Sequence, residues 1–279
     1  MKFWEEMEKI DRRWIYLLVG LAVIIPFIIP MKFPVSVSPE GRSFFDAVEA
    51  LPDSCTVMLV FDYYPSTVAE TEPMAVVGAR HLFRKDCKII TLTNIPYGAP
   101  SMAETVTRSV AAEFGKEYGK DFVNLGYKYG YVSVLKGMGQ SIESIFPTDN
   151  SGTPLSELPM MDSITNYGQI SFIFEVADNA TADYWISIVN AGYGVPMGVG
   201  TTAVMAPKYC AFVGSHQIVG LLGGMKGAAE YEILLERPDA AFRGMDIQSL
   251  VHFLIIVFVL IGNIAFFVGR AQRKKGVAA

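Results

Sequence analysis

The stretch Thr56–Ser66, with the sequence TVMLVFDYYPS, decides the fold that we predict for this chain. Its first part is an uninterrupted apolar run, which ends at Asp62, Tyr63 and Tyr64. A continuous apolar strand is typical of a parallel sheet covered by helices, because neither face of such a strand meets water. Ligands of such sheets bind outside the carboxyl ends of the strands, so this turn is the first candidate binding site.

Strand and helix patterns alternate along the chain around this stretch. Apolar runs predict five strands, at 56–63, 88–93, 122–127, 169–176 and 196–205. Amphipathic or small-residue segments predict helices at 39–51, 71–84, 101–114, 132–145, 181–190 and through most of 207–235. Ser38 is the expected N-cap of the first of these helices, and Ser101 and Glu104 form a capping box for the third. The alternation predicts one doubly wound α/β domain with a mostly parallel five-stranded, Rossmann-like sheet.

Two long apolar segments flank this domain. Residues 14–33 carry no charge before Lys32 and residues 250–268 carry none, and each approaches the ~20 residues that cross a bilayer. A cleaved signal peptide is the alternative for the first segment, but its acid-rich leader and the lack of a small-residue cleavage site favour an anchor. We therefore divide the chain into a cytoplasmic tail (1–13), a transmembrane helix (14–33), an extracytoplasmic α/β domain (34–249), a second transmembrane helix (250–268) and a basic cytoplasmic tail (269–279).

Lysines and arginines lie on the terminal side of both apolar segments. The positive-inside rule then predicts that both termini are cytoplasmic and that the domain lies outside the cytoplasmic (inner) membrane. Acidic residues outnumber basic ones in this domain, 24 to 14. Such a balance argues against nucleic acid as a partner, because binding to phosphates requires a basic surface. The expected partners are the lipid bilayer and other membrane or envelope subunits, or a second copy of the chain.

Polar side chains follow the predicted strands at the edge where the strands end. The candidates for binding a polar ligand or a cation are Asp62, Tyr63, Tyr64, Asn94, Lys128 and Asp178. The alternative is that these residues only cap helices, as Asp and Asn often do in such turns. The sequence has no H-x-x-x-H pair, no G-x-S-x-G motif and no phosphate loop, so we predict no metal, no cofactor and no catalytic residues, and leave enzymatic activity open.

Two further groups of residues point to helix packing or to a partner. Gly220, Gly224 and Gly227 have helical spacing and predict a smooth strip, which either packs on the sheet or receives a partner helix. His252 and Asn263 lie three helical turns apart in the second apolar segment. Polar residues in a membrane helix usually face protein, so this pair predicts packing against another helix or subunit, with a solvated His252 as the alternative.

Cys55 and Cys87 each come directly before a predicted strand. If these strands are parallel neighbours, both sulfur atoms lie at the same edge of the sheet. An oxidising compartment would then permit a disulfide between them, and two small buried thiols are the alternative.

The layout resembles that of uncharacterised bacterial two-span membrane proteins with one exported Rossmann-like domain. The resemblance rests on the architecture and on the stretches GGMKGAAEYE at 223–232 and GMDIQSL at 244–250, and it implies no activity. From the missing catalytic motifs and the acidic domain we expect a non-catalytic interaction or assembly subunit of an envelope complex. The alternative is a small-ligand sensor or an enzyme that uses the crevice around Asp62, Lys128 and Asp178.

Overall fold

A computed structural model describes residues 11–29 and 31–276, with side chains up to residue 271. The chain forms one compact unit over Val35–Phe242, and the described residues on either side of it form a second unit. The strands are β1 Thr56–Asp62, β2 Lys88–Thr93, β3 Phe122–Tyr127, β4 Phe172–Ala177, β5 Met197–Thr201 and β6 Leu221–Gly223. The helices are α1 Arg12–Ile28, α2 Pro39–Glu49, α3 Val68–Arg84, α4 Ala99–Glu113, α5 Tyr131–Met138, α6 Ile142–Ile145, α7 Thr181–Tyr184, α8 Ala191–Tyr193, α9 Ala206–Gly214, α10 Gly224–Leu234 and α11 Ala240–Gly276, with a π-helical stretch between α7 and α8.

The six strands form one parallel sheet in the order β3-β2-β1-β4-β5-β6. This is the strand order of a Rossmann fold. The strands run outward from β1 on one side and from β4 on the other, so the switch point of the sheet lies between β1 and β4. The sequence predicted five strands, and that count is wrong. The sixth strand, β6, lies inside the segment that was predicted as helix, and its three residues are too few to show a strand pattern.

The α/β prediction is right because the central strand meets no water. Every residue of β1 after Thr56 is buried, and its neighbours β2 and β4 are almost equally buried. Helices cover both faces, and the largest buried side chains come from strands and helices alike: Phe44, Phe61, Phe172, Phe174, Trp185, Tyr209 and Tyr231. The backbone N–H and C=O groups of this strand pair with the two neighbouring strands, so the strand needs no contact with water, as the parallel arrangement requires.

Helix starts were predicted with mixed success. Ser38 is the N-cap of α2, as predicted: its hydroxyl accepts from the N–H of Gly41 at 3.2 Å and donates to Glu230 at 2.5 Å. The capping box at Ser101 is wrong, because α4 already begins at Ala99, with Pro100 in its first turn. The predicted helix over 132–145 is in fact two helices, since α5 ends at Met138 and α6 begins at Ile142.

A buried histidine joins three helices of the domain. His81 in α3 contacts Glu49 of α2 through Nε2, at 2.6 Å, and Tyr231 of α10 through Nδ1, at 2.7 Å. Burial lowers the pKa of His81 to about 4, so its ring is neutral at pH 7. The ionised Glu49 then accepts the Nε2–H bond, and the Tyr231 hydroxyl donates to Nδ1. This cluster explains why Tyr231 of the GGMKGAAEYE stretch is polar yet fully buried.

The second unit contains α1 and most of α11. Residues Ala240–Ala271 form a helix long and apolar enough to cross a membrane, and among the described residues it is the one such helix. The sequence predicted two, but α1 has 17 residues and ends at Ile28. The backbone beyond it does not continue the helix, because the N–H groups of Met31, Lys32 and Phe33 donate to the carboxylate of Asp246 at 2.8–3.1 Å.

Candidate functional site

A cavity of about 300 Å³ opens at the carboxyl edge of the sheet, on the side of β1, β2 and β3. We call it the tyrosine crevice, and it is lined by Tyr64, Asn94, Ile95, Pro96, Tyr127, Tyr129, Gly130 and Tyr131. Each lining segment directly follows a strand or ends one, so the sheet itself holds the walls in place. Clefts of this size beside the switch point are the usual ligand sites of open α/β sheets.

The turn between β3 and α5 shapes one wall of the crevice. Gly130 precedes the helix with φ +103°, a backbone conformation that strains any residue with a side chain. This turn places Tyr129 and Tyr131 on either side of the glycine. Tyr129 is the most exposed of the lining tyrosines, at 88%.

Asn94 forms the polar floor of the crevice. Its backbone N–H donates to Asp62 Oδ1 at 2.6 Å, and its Nδ2 donates to Asp62 Oδ2 at 2.8 Å. These bonds fix the orientation of the amide, because a flipped amide would set oxygen against the Asp62 carboxylate. The remaining acceptor, Asn94 Oδ1, is buried and receives no hydrogen bond from the residues that the structure describes. A buried acceptor without a donor is rare in native proteins and marks a place where a further molecule can bind.

A second carboxyl group lies beside Asp62. Glu175 of β4 is fully buried within hydrogen-bonding range of Asp62, and its Oε1 accepts from Thr181 Oγ1 at 2.8 Å. Burial, followed by the charge of Asp62, raises the pKa of Glu175 well above its ordinary value. Burial also raises the pKa of Asp62, against the opposing effect of the Asn94 hydrogen bonds. Two carboxyl groups in contact cannot both ionise away from water, so the pair holds at least one proton.

Glu175 holds a proton more readily than Asp62. Asp62 accepts three hydrogen bonds, from the two Asn94 groups and from Thr93 Oγ1 at 3.2 Å, and these bonds stabilise its ionised form. Glu175 Oε2 receives no donor in the described part of the chain, so it can instead carry the proton and donate to Asp62. The indole N–H of Trp185 lies near Asp62 but completes no hydrogen bond.

Asp178 closes the turn that follows β1. Its Oδ2 accepts from the Tyr64 N–H at 2.8 Å and from Thr67 Oγ1 at 2.6 Å. The neighbouring Asn179 donates to the Asp62 carbonyl at 3.1 Å. These bonds tie the ends of β1 and β4 together at the switch point. Asp178 is therefore a turn cap, and it does not line the crevice.

Aromatic rings surround the mouth of the crevice. Tyr97, which is 70% exposed, stacks on Tyr64 with ring centroids 6.4 Å apart. Tyr184 packs against Tyr131 at 5.4 Å. Burial raises the pKa of Tyr131, so this phenol stays protonated. Tyrosines that are exposed on one side and packed on the other are typical of binding surfaces.

Two of the six predicted ligand residues line the tyrosine crevice. Tyr64 and Asn94 line the crevice, and Asp62 lies directly behind Asn94. Lys128 is exposed and is not among the lining residues. Tyr63 is buried, and its hydroxyl has no partner among the described residues. The convergence of Asp62, Lys128 and Asp178 on one site stays a prediction, and the crevice itself is lined by Asn94 and tyrosines.

Sequence reasoning missed part of this site. Tyr129 and Tyr131 were not singled out, although the run YKYGY at 127–131 directly follows a strand. Glu175 was also overlooked, although an acid inside the apolar run FIFEVA requires a special environment. Both signals are present in the sequence, but only the fold shows that they meet at one edge of the sheet.

The glycines at 220, 224 and 227 do not form a helical strip. Gly220 precedes β6, Gly224 begins α10, and only Gly227 lies within the helix. All three are buried against the domain itself: a Cβ atom at Gly220 would lie 2.4 Å from the backbone nitrogen of Phe44, and one at Gly227 would lie 2.7 Å from the backbone of Leu222. The packing alternative therefore describes these residues.

The polar residues of α11 differ in their surroundings. Asn263 donates from Nδ2 to the Val259 carbonyl of its own helix at 2.8 Å, which satisfies the amide without another helix. His252 is exposed. Packing of this pair against a further helix or subunit stays a prediction.

Cys55 and Cys87 lie together at the amino-terminal edge of the sheet. The Cys55 carbonyl accepts from the Lys88 N–H at 2.7 Å, and the two strands that follow the cysteines are parallel neighbours. Both thiols are buried and free, and the neighbouring Cys87, together with burial, raises the pKa of Cys55. A disulfide between them stays a prediction for oxidising conditions.

No protein-family profile, curated protein or solved structure matches this chain. We therefore interpret the site from the side chains of the crevice itself. In the described part of the chain, no group of three or more His, Cys, Asp or Glu side chains is placed to hold a metal ion. What the crevice offers is an aromatic wall, one oriented acceptor and a carboxylate behind it, which together suit the recognition of a small polar molecule.

Proposed function

We propose that this chain is a membrane-anchored recognition protein whose α/β domain binds a small polar ligand in the tyrosine crevice, without catalysing a reaction. The observation that carries this proposal is Asn94, a buried side chain that lines the crevice and whose oriented acceptor has no partner in the described part of the chain. Burying such a group costs free energy unless a ligand forms a hydrogen bond to it. Ligand sites typically contain a few polar groups of this kind, which orient the bound ligand.

Binding is favoured over catalysis by the way the acids are held. Asp62 already accepts three hydrogen bonds, and Glu175 is fully buried, so neither carboxyl group lines the crevice. General acid–base catalysis needs a group within hydrogen-bonding reach of the substrate. The side chains that do line the crevice are four tyrosines, one amide, an isoleucine and a proline.

We also propose that two hydrophobic helices hold the domain outside the cytoplasmic membrane, with both termini cytoplasmic. The length and apolar surface of α11 support the second span. The contact of Asp246 with the backbone at residues 31–33 supports the first, because it joins the chain that leaves α1 to the beginning of α11. The basic residues at both ends of the chain support the orientation.

A second function is favoured by the exposed tyrosines at the mouth of the crevice. Tyr97 and Tyr129 expose 70% and 88% of their surface, more than a small ligand would cover. Exposed tyrosines are frequent anchors of protein interfaces, so this rim supports a subunit of an envelope complex. Purification in mild detergent tests it: a stoichiometric partner or a homo-oligomer supports the function, and a monodisperse monomer without a partner contradicts it.

A thermal-shift screen of small polar molecules tests the ligand-binding function on the full chain in detergent. We expect one chemical class to raise the melting temperature of the wild type and to lose its effect in Tyr129→Leu. Val204→Ser is the matched control, because Val204 is 89% exposed and does not line the crevice. The control should keep the full shift. A screen without any stabilising ligand, or an equal shift in Tyr129→Leu, would contradict the proposal.

A further inference from the structure

We infer that the tyrosine crevice takes an organic ammonium ion that carries at least one N–H bond. This inference rests on the proposed function and narrows it to one ligand class. Three independent features of the described structure lead to it: the position where a Rossmann fold binds phosphate is filled, the lining is aromatic, and the lining residue Asn94 is hydrogen-bonded to a buried carboxylate.

The phosphate position is filled by a side chain of the protein itself. In dinucleotide-binding sheets of this strand order, the turn after β1 and the following helix present N–H groups to the pyrophosphate. Here the Tyr64 N–H and the Thr67 hydroxyl both donate to the carboxylate of Asp178. A phosphate at this turn would lose these donors and would meet a fixed negative charge. The turn after β1 is thus closed to an anionic group.

The lining favours a cation over other polar ligands. Four of the eight lining residues are tyrosines, and none of the lining residues is a lysine or an arginine. Tyrosine rings attract an ammonium group through the negative face of the ring, and several rings around one cavity form the type of cage that binds alkylammonium ions. A neutral sugar could also stack on these rings, but it would gain nothing from the charge behind them.

That charge comes from Asp62. Its carboxylate lies directly behind Asn94, and the three hydrogen bonds that it accepts favour its ionised form. Asn94 lines the cavity, and its Oδ1 is a buried acceptor that has no donor among the described residues. An N–H group of an ammonium ion satisfies this acceptor and is attracted by the carboxylate at once. A quaternary ammonium ion lacks the N–H bond and can use only the rings and the charge.

Isothermal titration of the full chain in detergent, at pH 7 and constant ionic strength, tests this ligand class. The probes are n-butylammonium, choline, D-glucose and AMP. We expect saturable binding of n-butylammonium, at least fivefold weaker binding of choline, and no saturable binding of D-glucose or AMP. Tyr129→Leu should weaken n-butylammonium binding about fivefold, whereas Tyr129→Phe, which keeps the aromatic face, should stay within about twofold of the wild type.

Several results would overturn the ammonium class. One is binding of D-glucose or AMP as tight as that of n-butylammonium, and another is equal affinity of Tyr129→Leu and the wild type for n-butylammonium. A third is no binding of either ammonium probe while the thermal-shift screen yields a different ligand that depends on Tyr129; the class then fails and the proposed function stands. If neither the probes nor the screen yields a ligand, the ammonium class and the proposed ligand-binding function fail together.

Discussion

Asp62 and Glu175 are diagonal neighbours on one face of the sheet, and burial raises the pKa of both carboxyl groups. Asp62 pairs with Ala177 across the β1–β4 ladder, and Glu175 pairs with Val60 two positions earlier. Both side chains are fully buried at the switch point of the fold. Asp62 in turn orients Asn94 through two hydrogen bonds. The geometry of the crevice therefore depends on a pair of carboxyl groups one layer beneath it.

The protonated state of Glu175 predicts the behaviour of Glu175→Gln. Glutamine can accept from Thr181 and donate to Asp62, as the protonated acid does. A carboxyl group with a raised pKa binds more protons in the folded state than in the unfolded state, so its contribution to stability falls as pH rises above the unfolded pKa of 4.5. We expect Glu175→Gln to match the wild type near pH 4.5 and to be more stable than the wild type at pH 7, by a difference in unfolding free energy that grows as the pH rises.

Urea unfolding at pH 4.5, 6 and 7 measures this difference. Glu157→Gln, an exposed site, is the matched control and should track the wild type at every pH. A Glu175→Gln variant that is less stable than the wild type at pH 7 would show that Glu175 is ionised in the folded protein.

The Glu49–His81–Tyr231 cluster predicts a pH dependence of the opposite sign. The pKa of His81 is lowered from 6.5 to about 4, so the unfolded state binds more protons than the folded state between these values. The contribution of His81 to stability should therefore fall by up to about 3 kcal/mol as pH falls from 6.5 to 4. Melting temperatures of the wild type and His81→Gln, measured across this range, should converge toward low pH.

His216→Gln is the control for this comparison, because His216 is an exposed histidine of the same domain. Its melting temperature should run parallel to that of the wild type. A gap between the wild type and His81→Gln that stays constant with pH would contradict a neutral, buried His81.

The proposed topology predicts the labelling of Cys210. This cysteine is exposed and free, whereas Cys55 and Cys87 are buried. If the domain lies outside the cytoplasmic membrane, a membrane-impermeant maleimide should label the full chain in intact spheroplasts, and Cys210→Ser should abolish the label. Labelling that appears only after lysis would place the domain in the cytoplasm.

Much of the fold could be predicted because its strands are buried on both faces. The bounds of β2 and β3 were predicted to the residue, since apolar runs between turn residues leave little choice. β6 could not be predicted, because a three-residue strand depends on its neighbour β5 and not on its own pattern. The start of α4 was misplaced because Ser101 resembles an N-cap locally, while the chain already turns into the helix at Gly98, with φ +79°.

The site was predictable only in part, for a related reason. Tyr64 and Asn94 follow strands directly, so the rule about strand ends found them. The role of Glu175 depends on which strand lies beside β1, and the sequence does not reveal this neighbour. Lys128 and Asp178 also follow strands, but one side chain is exposed outside the crevice and the other caps a turn. Placement at a strand end is therefore necessary for the site but not sufficient.

The affinity of Asn94→Ala for the ligand with the largest thermal shift tests the central claim most directly. Titration of the folded variant, with the wild type alongside, compares the two dissociation constants. We predict binding at least about tenfold weaker in Asn94→Ala, because the variant lacks the acceptor and a lost hydrogen bond costs about 1.5 kcal/mol. Equal dissociation constants in the two proteins would contradict a binding site built on Asn94.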